Sequence, residues 1–171
     1  MKPFNILLLL AFLLFTACKE QHGEMSAEEI SELKNEIITS YEKHIDDLIR
    51  LDYDALMSYY INNEEFVLFG DCSYWGGYET GDEIWKSFTA DVDTMLSWDL
   101  SNHHVYLFSK EAASYLVEFD NVRVEANGDT TKVNGCFSYG MQKIDGDWKV
   151  ATIHVTHNYT AGPWVNNDNN N

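Results

Sequence analysis

The chain has 171 residues, which leaves room for one compact domain with short appendages and none for separate cofactor and substrate domains. With 28 Asp and Glu against 11 Lys and Arg, the formal net charge is −17, so a nucleic-acid backbone or an anionic membrane surface would be repelled. The 45% hydrophobic and 14% aromatic content is too rich for a disordered acidic chain and is enough for a core.

Lys2 precedes the apolar run Ile6 to Phe15, which is shorter than the roughly 20 residues of a spanning helix but suits a secretory signal. The run ends in Phe15-Thr16-Ala17-Cys18, which resembles a bacterial lipobox. That resemblance implies removal of residues 1–17, lipidation of Cys18 and a polar tether over 18–26. Lys19 stands where an Asp would resemble an inner-membrane retention signal, so the expected location is the cell envelope, anchored to the outer membrane on its periplasmic or surface side. Cys72 and Cys136 are the other thiols. In an exported chain they either pair or serve as small buried hydrophobes.

From Ile30, apolar residues recur at Leu33, Ile37, Ile38, Tyr41, Ile45, Leu48 and Ile49, the stripe of an amphipathic helix. Ser26 with Glu29 supplies a capping box at its start. Asp52 can cap a second, shorter helix through Leu56, Met57 and Tyr60, and a strand follows at Phe66 to Phe69. Gly70 to Gly77 reads as a turn-rich loop. Thr80 and Glu83 suggest another capping box, and Ile84, Trp85, Phe88, Val92, Met95 and Leu96 extend a third helix at helical spacing. After Asp99 the pattern becomes strands, about Leu100 to Phe108, Ser114 to Glu125, Lys132 to Lys143 and Trp148 to His157, the later ones joined by Gly-containing hairpin signals. Helices first and long antiparallel strands afterwards predict an α+β domain over 27–162, its sheet burying one face on the helices. The polar stretch 163–171 has no means of making a core and reads as a disordered tail.

The segment Leu51-Asp52-Tyr53-Asp54-Ala55-Leu56, the strand at Phe66 to Phe69 and Thr80-Gly81-Asp82-Glu83-Ile84 together resemble the SnoaL-like branch of the nuclear transport factor 2-like superfamily. Asn102-His103-His104-Val105 and Asp145-Gly146-Asp147-Trp148-Lys149-Val150 through His154-Val155-Thr156 are similar to the association domain of calcium/calmodulin-dependent kinases. The resemblance implies a cone-shaped curved antiparallel sheet packed on N-terminal helices, a pocket at the open end and a homodimer formed through the sheet. It implies no single activity, because isomerases, dehydratases, assembly domains and ligand binders share the scaffold.

Three readings follow for the pocket. In the first, it binds a small apolar or sugar-like ligand among aromatic side chains, with Tyr60, Tyr74, Trp75, Trp98, His104, Glu118 and Thr156 as the expected lining. In the second, an isomerase or dehydratase of the ketosteroid isomerase type uses Asp71 as its base, with Tyr139 or Tyr60 and His154 as partners. Asp71 can equally open a turn, and an outward Glu118 between inward apolar residues is ordinary strand alternation. In the third, the domain is a non-catalytic oligomerisation module. His103 and His104 are adjacent, and His154 and His157 are three apart, so neither pair shares a strand face for a metal unless a bulge intervenes. No Gly-rich phosphate loop is present. No metal or organic cofactor is therefore expected.

Overall fold

The computed structural model describes residues 25–161. The expected signal peptide, the lipidated Cys18, most of the tether and the tail over 163–171 lie outside the described residues. Helix α1 (Ala27–Ile49) starts at the expected capping box, where Ser26 and Glu29 each accept from the other's backbone N–H. Its stripe of Ile37, Tyr41, His44, Ile45 and Leu48 is buried against the sheet. The short helix α2 (Tyr53–Met57) is capped by the Asp52 carboxylate on Ala55 N–H. No helix among the described residues is long and apolar enough to cross a membrane.

Strands β1 (Val67–Gly70) and β2 (Ser73–Gly76) form a hairpin, so the stretch expected as a loop is half strand. Its two-residue turn, Asp71-Cys72, has φ of +46° and +68°, the left-handed pair that matches the twist of a tight hairpin. Helix α3 (Tyr78–Asp91) is capped by Gly77 with no side-chain bond, so the expected Thr80 and Glu83 box does not form. The remaining strands are β3 (Val92–Leu107), β4 (Ala112–Glu125), β5 (Thr130–Ile144) and β6 (Asp147–Ala161). The six strands lie in the order β2-β1-β6-β5-β4-β3, with β1 parallel to β6 and every other pair antiparallel.

Residues 92–96 were expected to continue the third helix and instead open β3. Register shifts at Val92/Thr94 and Met95/Ser97 insert extra residues into β3. The inward side chains Val92, Met95 and Trp98 are therefore three apart while Leu96 stays exposed, and a bulged strand imitates the helical period.

A bulge in β6 decides the fate of the histidines on that strand. At Gly140/Met141 the ladder shifts so that Gly140 faces Thr152 and Met141 faces Val150, and consecutive Val150 and Ala151 are both buried. Beyond it the inward residues of β6 are Ile153, Val155 and His157, while Thr152, His154 and Thr156 are exposed on the outer face. A further shift in β3, between Ser101 and His104 with Asn102 at φ +52°, turns His103 inward and leaves His104 exposed.

Candidate functional site

The inner face of the sheet is laid out in rows by strand register. Tyr159, Val133, Asn121 and Trp98 are consecutive cross-strand partners, as are His157, Gly135, Phe119 and Leu100. Deeper rows place Ile153 beside Tyr139, Tyr139 beside Tyr115 and Tyr115 beside Val105. The first two rows, with α3 across from them, wall a cavity of about 200 Å³. From the sheet come Trp75, Trp98, Phe119, Phe137 and His157, and from α3 come Ile84, Trp85 and Phe88. Gly81 is the one fully buried residue of α3, and Tyr78, Trp85 and Phe88 pack partly buried against the core beside the cavity.

Aromatic rings set the walls. Trp98 stacks on Phe119 at 5.3 Å, Phe119 lies 4.8 Å from Phe137, and Trp75 lies parallel to His157 at 6.1 Å. Gly135 makes this approach possible, because a Cβ there would sit 1.9 Å from the Thr156 carbonyl oxygen and 2.9 Å from the Phe119 ring.

At the lip, the hairpin turn returns Asp71 to β6. Asp71 N–H donates to the Val155 carbonyl, and its carboxylate accepts from His157 N–H at 2.8 Å and lies 3.1 Å from His157 Nδ1. The Asp71 side chain is 46% exposed and that of His157 21%. A carboxylate can only accept, so it selects the tautomer protonated on Nδ1 and leaves Nε2 with a free lone pair. Such an imidazole can take or return a proton, with the carboxylate holding the ring.

Opposite this pair, β4 supplies two buried polar residues. Asn121 and Arg123 are 1% and 8% exposed. The guanidinium donates from Nε to Glu125 at 2.9 Å and from Nη1 to Asn121 Oδ1 at 3.2 Å, and it lies 5.2 Å over the Phe88 ring.

The structure redistributes the residues expected from sequence. Trp75 and Trp98 line the cavity. Tyr60 is buried behind it, with its ring stacked on Trp85 and its hydroxyl 3.1 Å from His44 Nε2. Tyr139 is not a partner of Asp71; it is bonded to the Tyr41 hydroxyl in the deep rows. Burial holds both of these phenols well above the usual tyrosine range. Tyr74 is exposed and packs on Phe69 outside the pocket. Glu118 is bonded to Asn102 on the outer face, where it shares a shallow depression with Cys136 and Thr156. His104 and His154 are exposed on that same outer side of the sheet. Cys72 and Cys136 are exposed free thiols, so neither the disulfide nor the buried-hydrophobe reading describes them.

His157, Asn121, Arg123 and Phe137 were not singled out from sequence. The alternation of β4 through Tyr115, Val117 and Phe119 points Asn121 and Arg123 inward, and that signal was available.

The sequence profile of the SnoaL-like domain matches residues 37–157. No curated protein matches the sequence. Among solved structures, the chain is similar to a candidate scytalone dehydratase from Novosphingobium aromaticivorans DSM 12444, with 12% identity and a TM-score of 0.69 over 78% of this chain and 89% of the other. It is also similar to a candidate calcium/calmodulin-dependent protein kinase II association domain from Xanthomonas campestris, with 17% identity and a TM-score of 0.59 over 76% and 88% of the chains. A ketosteroid isomerase-like protein from Erwinia carotovora atroseptica SCRI1043 matches at 17% identity and a TM-score of 0.60 over 75% and 96%. These likenesses establish a shared fold, and with the profile spanning both the sheet and the cavity walls, the chain belongs to the SnoaL-like domain family.

Proposed function

We propose that this chain is an exported SnoaL-like domain, tethered to the cell envelope through Cys18, whose pocket binds one small, flat, largely apolar molecule. The observation that carries the reading is the cavity of about 200 Å³ faced by Trp75, Trp85, Trp98, Phe119 and Phe137. Flat rings bury a planar ligand with little loss of side-chain entropy. A sugar fits less well, because Asn121, Arg123, His157 and Tyr159 are too few polar groups to satisfy its hydroxyls. Pairing of two copies through the outer sheet face is part of the proposal and is supported by exposed Leu96, Tyr106 and Leu116 on that side.

Native mass spectrometry of the protein purified from its own source tests the reading. The expected spectrum shows a reproducible added mass that disappears on denaturation and in Val133→Phe, which fills the cavity from β5. A clean unliganded oligomer would favour the assembly-module reading instead.

A second reading is favoured by the Asp71–His157 contact. In it, His157 Nε2 removes a proton from a bound molecule and Asp71 positions the ring, in an isomerase- or lyase-type reaction. Structural neighbours named as a candidate scytalone dehydratase and a ketosteroid isomerase-like protein support small-molecule chemistry on this scaffold. Once a turnover assay exists, His157→Gln should lower the rate by roughly 10²- to 10⁴-fold while leaving binding in place. Unchanged turnover would remove this reading.

A further inference from the structure

The two most exposed large apolar side chains among the described residues, Phe108 at 67% and Tyr106 at 65%, touch each other, with ring centroids 5.2 Å apart. They project from the end of β3 and the turn after it, where Phe108 N–H donates to the Ala112 carbonyl. Ile144, 40% exposed, stands at the same end in the neighbouring hairpin, which Lys143 N–H joins to the first through the Glu111 carbonyl at 2.8 Å. Water penalises a patch of this kind unless something covers it.

The start of the domain lies beside it. Ser26 N–H donates to the Glu29 carboxylate at 2.9 Å, and the same carboxylate accepts from Lys110 Nζ at 2.6 Å. Two consecutive contacts thus join the start of α1 to the turn that carries Phe108. Residues 18–24 precede the described residues, and a chain from Cys18 to Ser26 reaches at most about 30 Å. An acyl group on Cys18 would therefore hold a bilayer close to the aromatic pair. The cavity lies at the other end: β4 runs from Ala112 beside the pair to Arg123 in the cavity wall, roughly 35 Å of extended strand.

Charge around the patch selects the lipid. Lys110 and Lys143 are bonded to Glu29 and Glu36, whereas Glu28, Glu32, Glu111, Asp145 and Asp147 are exposed around them. This rim repels an anionic surface and suits the ammonium groups of a zwitterionic one.

We propose that the end of the domain formed by Tyr106, Phe108 and Ile144 rests on a zwitterionic phospholipid surface, so that the tethered domain stands with its cavity opening to the aqueous side. The inference rests on the part of the functional reading that tethers the chain through Cys18. The acyl group supplies the affinity and the aromatic pair the orientation, because such rings settle at the level of the headgroups. The ligand then enters from water and not from the lipid.

The test uses the full acylated chain in vesicles of phosphatidylethanolamine and phosphatidylcholine that carry a nitroxide quencher on their headgroups. A fluorescent thiol dye is placed at Glu111→Cys, beside Phe108, with Cys72→Ser and Cys136→Ser removing the exposed native thiols. In a second preparation it is placed on native Cys72, beside the cavity lip, with Cys136→Ser. The dye at 111 is expected to lose most of its emission and the dye at 72 almost none. With Tyr106→Ser and Phe108→Ser together, quenching at 111 should fall several-fold while the protein still sediments with the vesicles. Exchanging phosphatidylcholine for anionic phosphatidylglycerol should weaken it, and stronger quenching there overturns the proposal. Quenching at 72 in place of 111 overturns it in favour of the opposite end, where Tyr74 packs on Phe69. Unchanged quenching after the double substitution overturns it while leaving the tether in place, and a smaller oligomer in that variant would then assign the pair to a second copy of the chain. Protein left in the supernatant with an unmodified Cys18 overturns the tether and the proposal together. The two dyes on the intact aromatic pair decide the orientation even if the double variant fails to fold.

Discussion

The Asp71 carboxylate grips His157 twice, through the backbone N–H at 2.8 Å and at ring Nδ1 at 3.1 Å. Asp71 belongs to a hairpin turn at one edge of the sheet and His157 to β6, so the pairing of β1 with β6 sets the tautomer of the histidine. In Asp71→Asn, the amide can still adopt the left-handed turn but no longer enforces Nδ1 protonation. Long-range ¹⁵N spectra of the imidazole are expected to show a tautomer mixture in the variant and one tautomer in the parent. The stability change should stay within about 1 kcal/mol, as for other exposed pairs.

His44 supplies a prediction about acid. It is 1% exposed, its Nε2 meets the Tyr60 hydroxyl, and its Nδ1 has no partner among the described residues. Burial lowers its pKa from 6.5 to about 3, so the folded protein holds it neutral while the unfolded chain takes up a proton below about pH 6.5. The folded pKa is the lower one, so this contribution to stability is complete above pH 6.5 and is lost as pH falls toward 3. The limiting slope is about 1.4 kcal/mol per pH unit. Denaturant titrations at pH 7, 5.5 and 4 should show a shallower decline in His44→Phe than in the parent. Parallel declines would show that His44 does not titrate with unfolding.

Tyr139 separates a structural role from a catalytic one. Tyr139→Phe leaves the Tyr41 hydroxyl buried without a partner, at a cost of about 1–3 kcal/mol. Its effect on probe binding in the cavity should be negligible, because Tyr139 lies in the deep rows. Equilibrium unfolding paired with a binding isotherm checks both halves.

Gly135→Ala tests the close packing behind the site. The added methyl would meet the Thr156 carbonyl oxygen on β6 and the Phe119 ring on β4, so strands must part. A loss of about 3 kcal/mol or more is expected, with probe affinity falling as His157 and Phe119 spread. A thermal melt within a few degrees of the parent would show that β5 and β6 can yield there.

The helices and the sheet were legible in the sequence because caps and apolar periods act locally: Ser26, Glu29 and Asp52 fix helix starts through bonds within three residues. The histidines were not, because one extra residue near Ala151 exchanges the two faces of β6. Parity counted from Trp148 puts His154 in the pocket, whereas the bulged strand puts His157 there. The same device in β3 spaced Val92, Met95 and Trp98 like a helix. Bulges are set by cross-strand pairing, which a reading of one strand at a time does not contain. Asp71 was found as a residue of interest, but its partner was misidentified for the same reason.

Helix α3 lays Ile84, Trp85 and Phe88 over the cavity and has only Gly81 buried. A ligand in the cavity would therefore complete this helix's own hydrophobic seat. A bound guest would pack against Ile84, Trp85 and Phe88, so the amides of α3 should exchange with solvent fastest when the seat is vacant. Hydrogen exchange along 78–91 thus offers an occupancy gauge that requires no knowledge of the guest's identity.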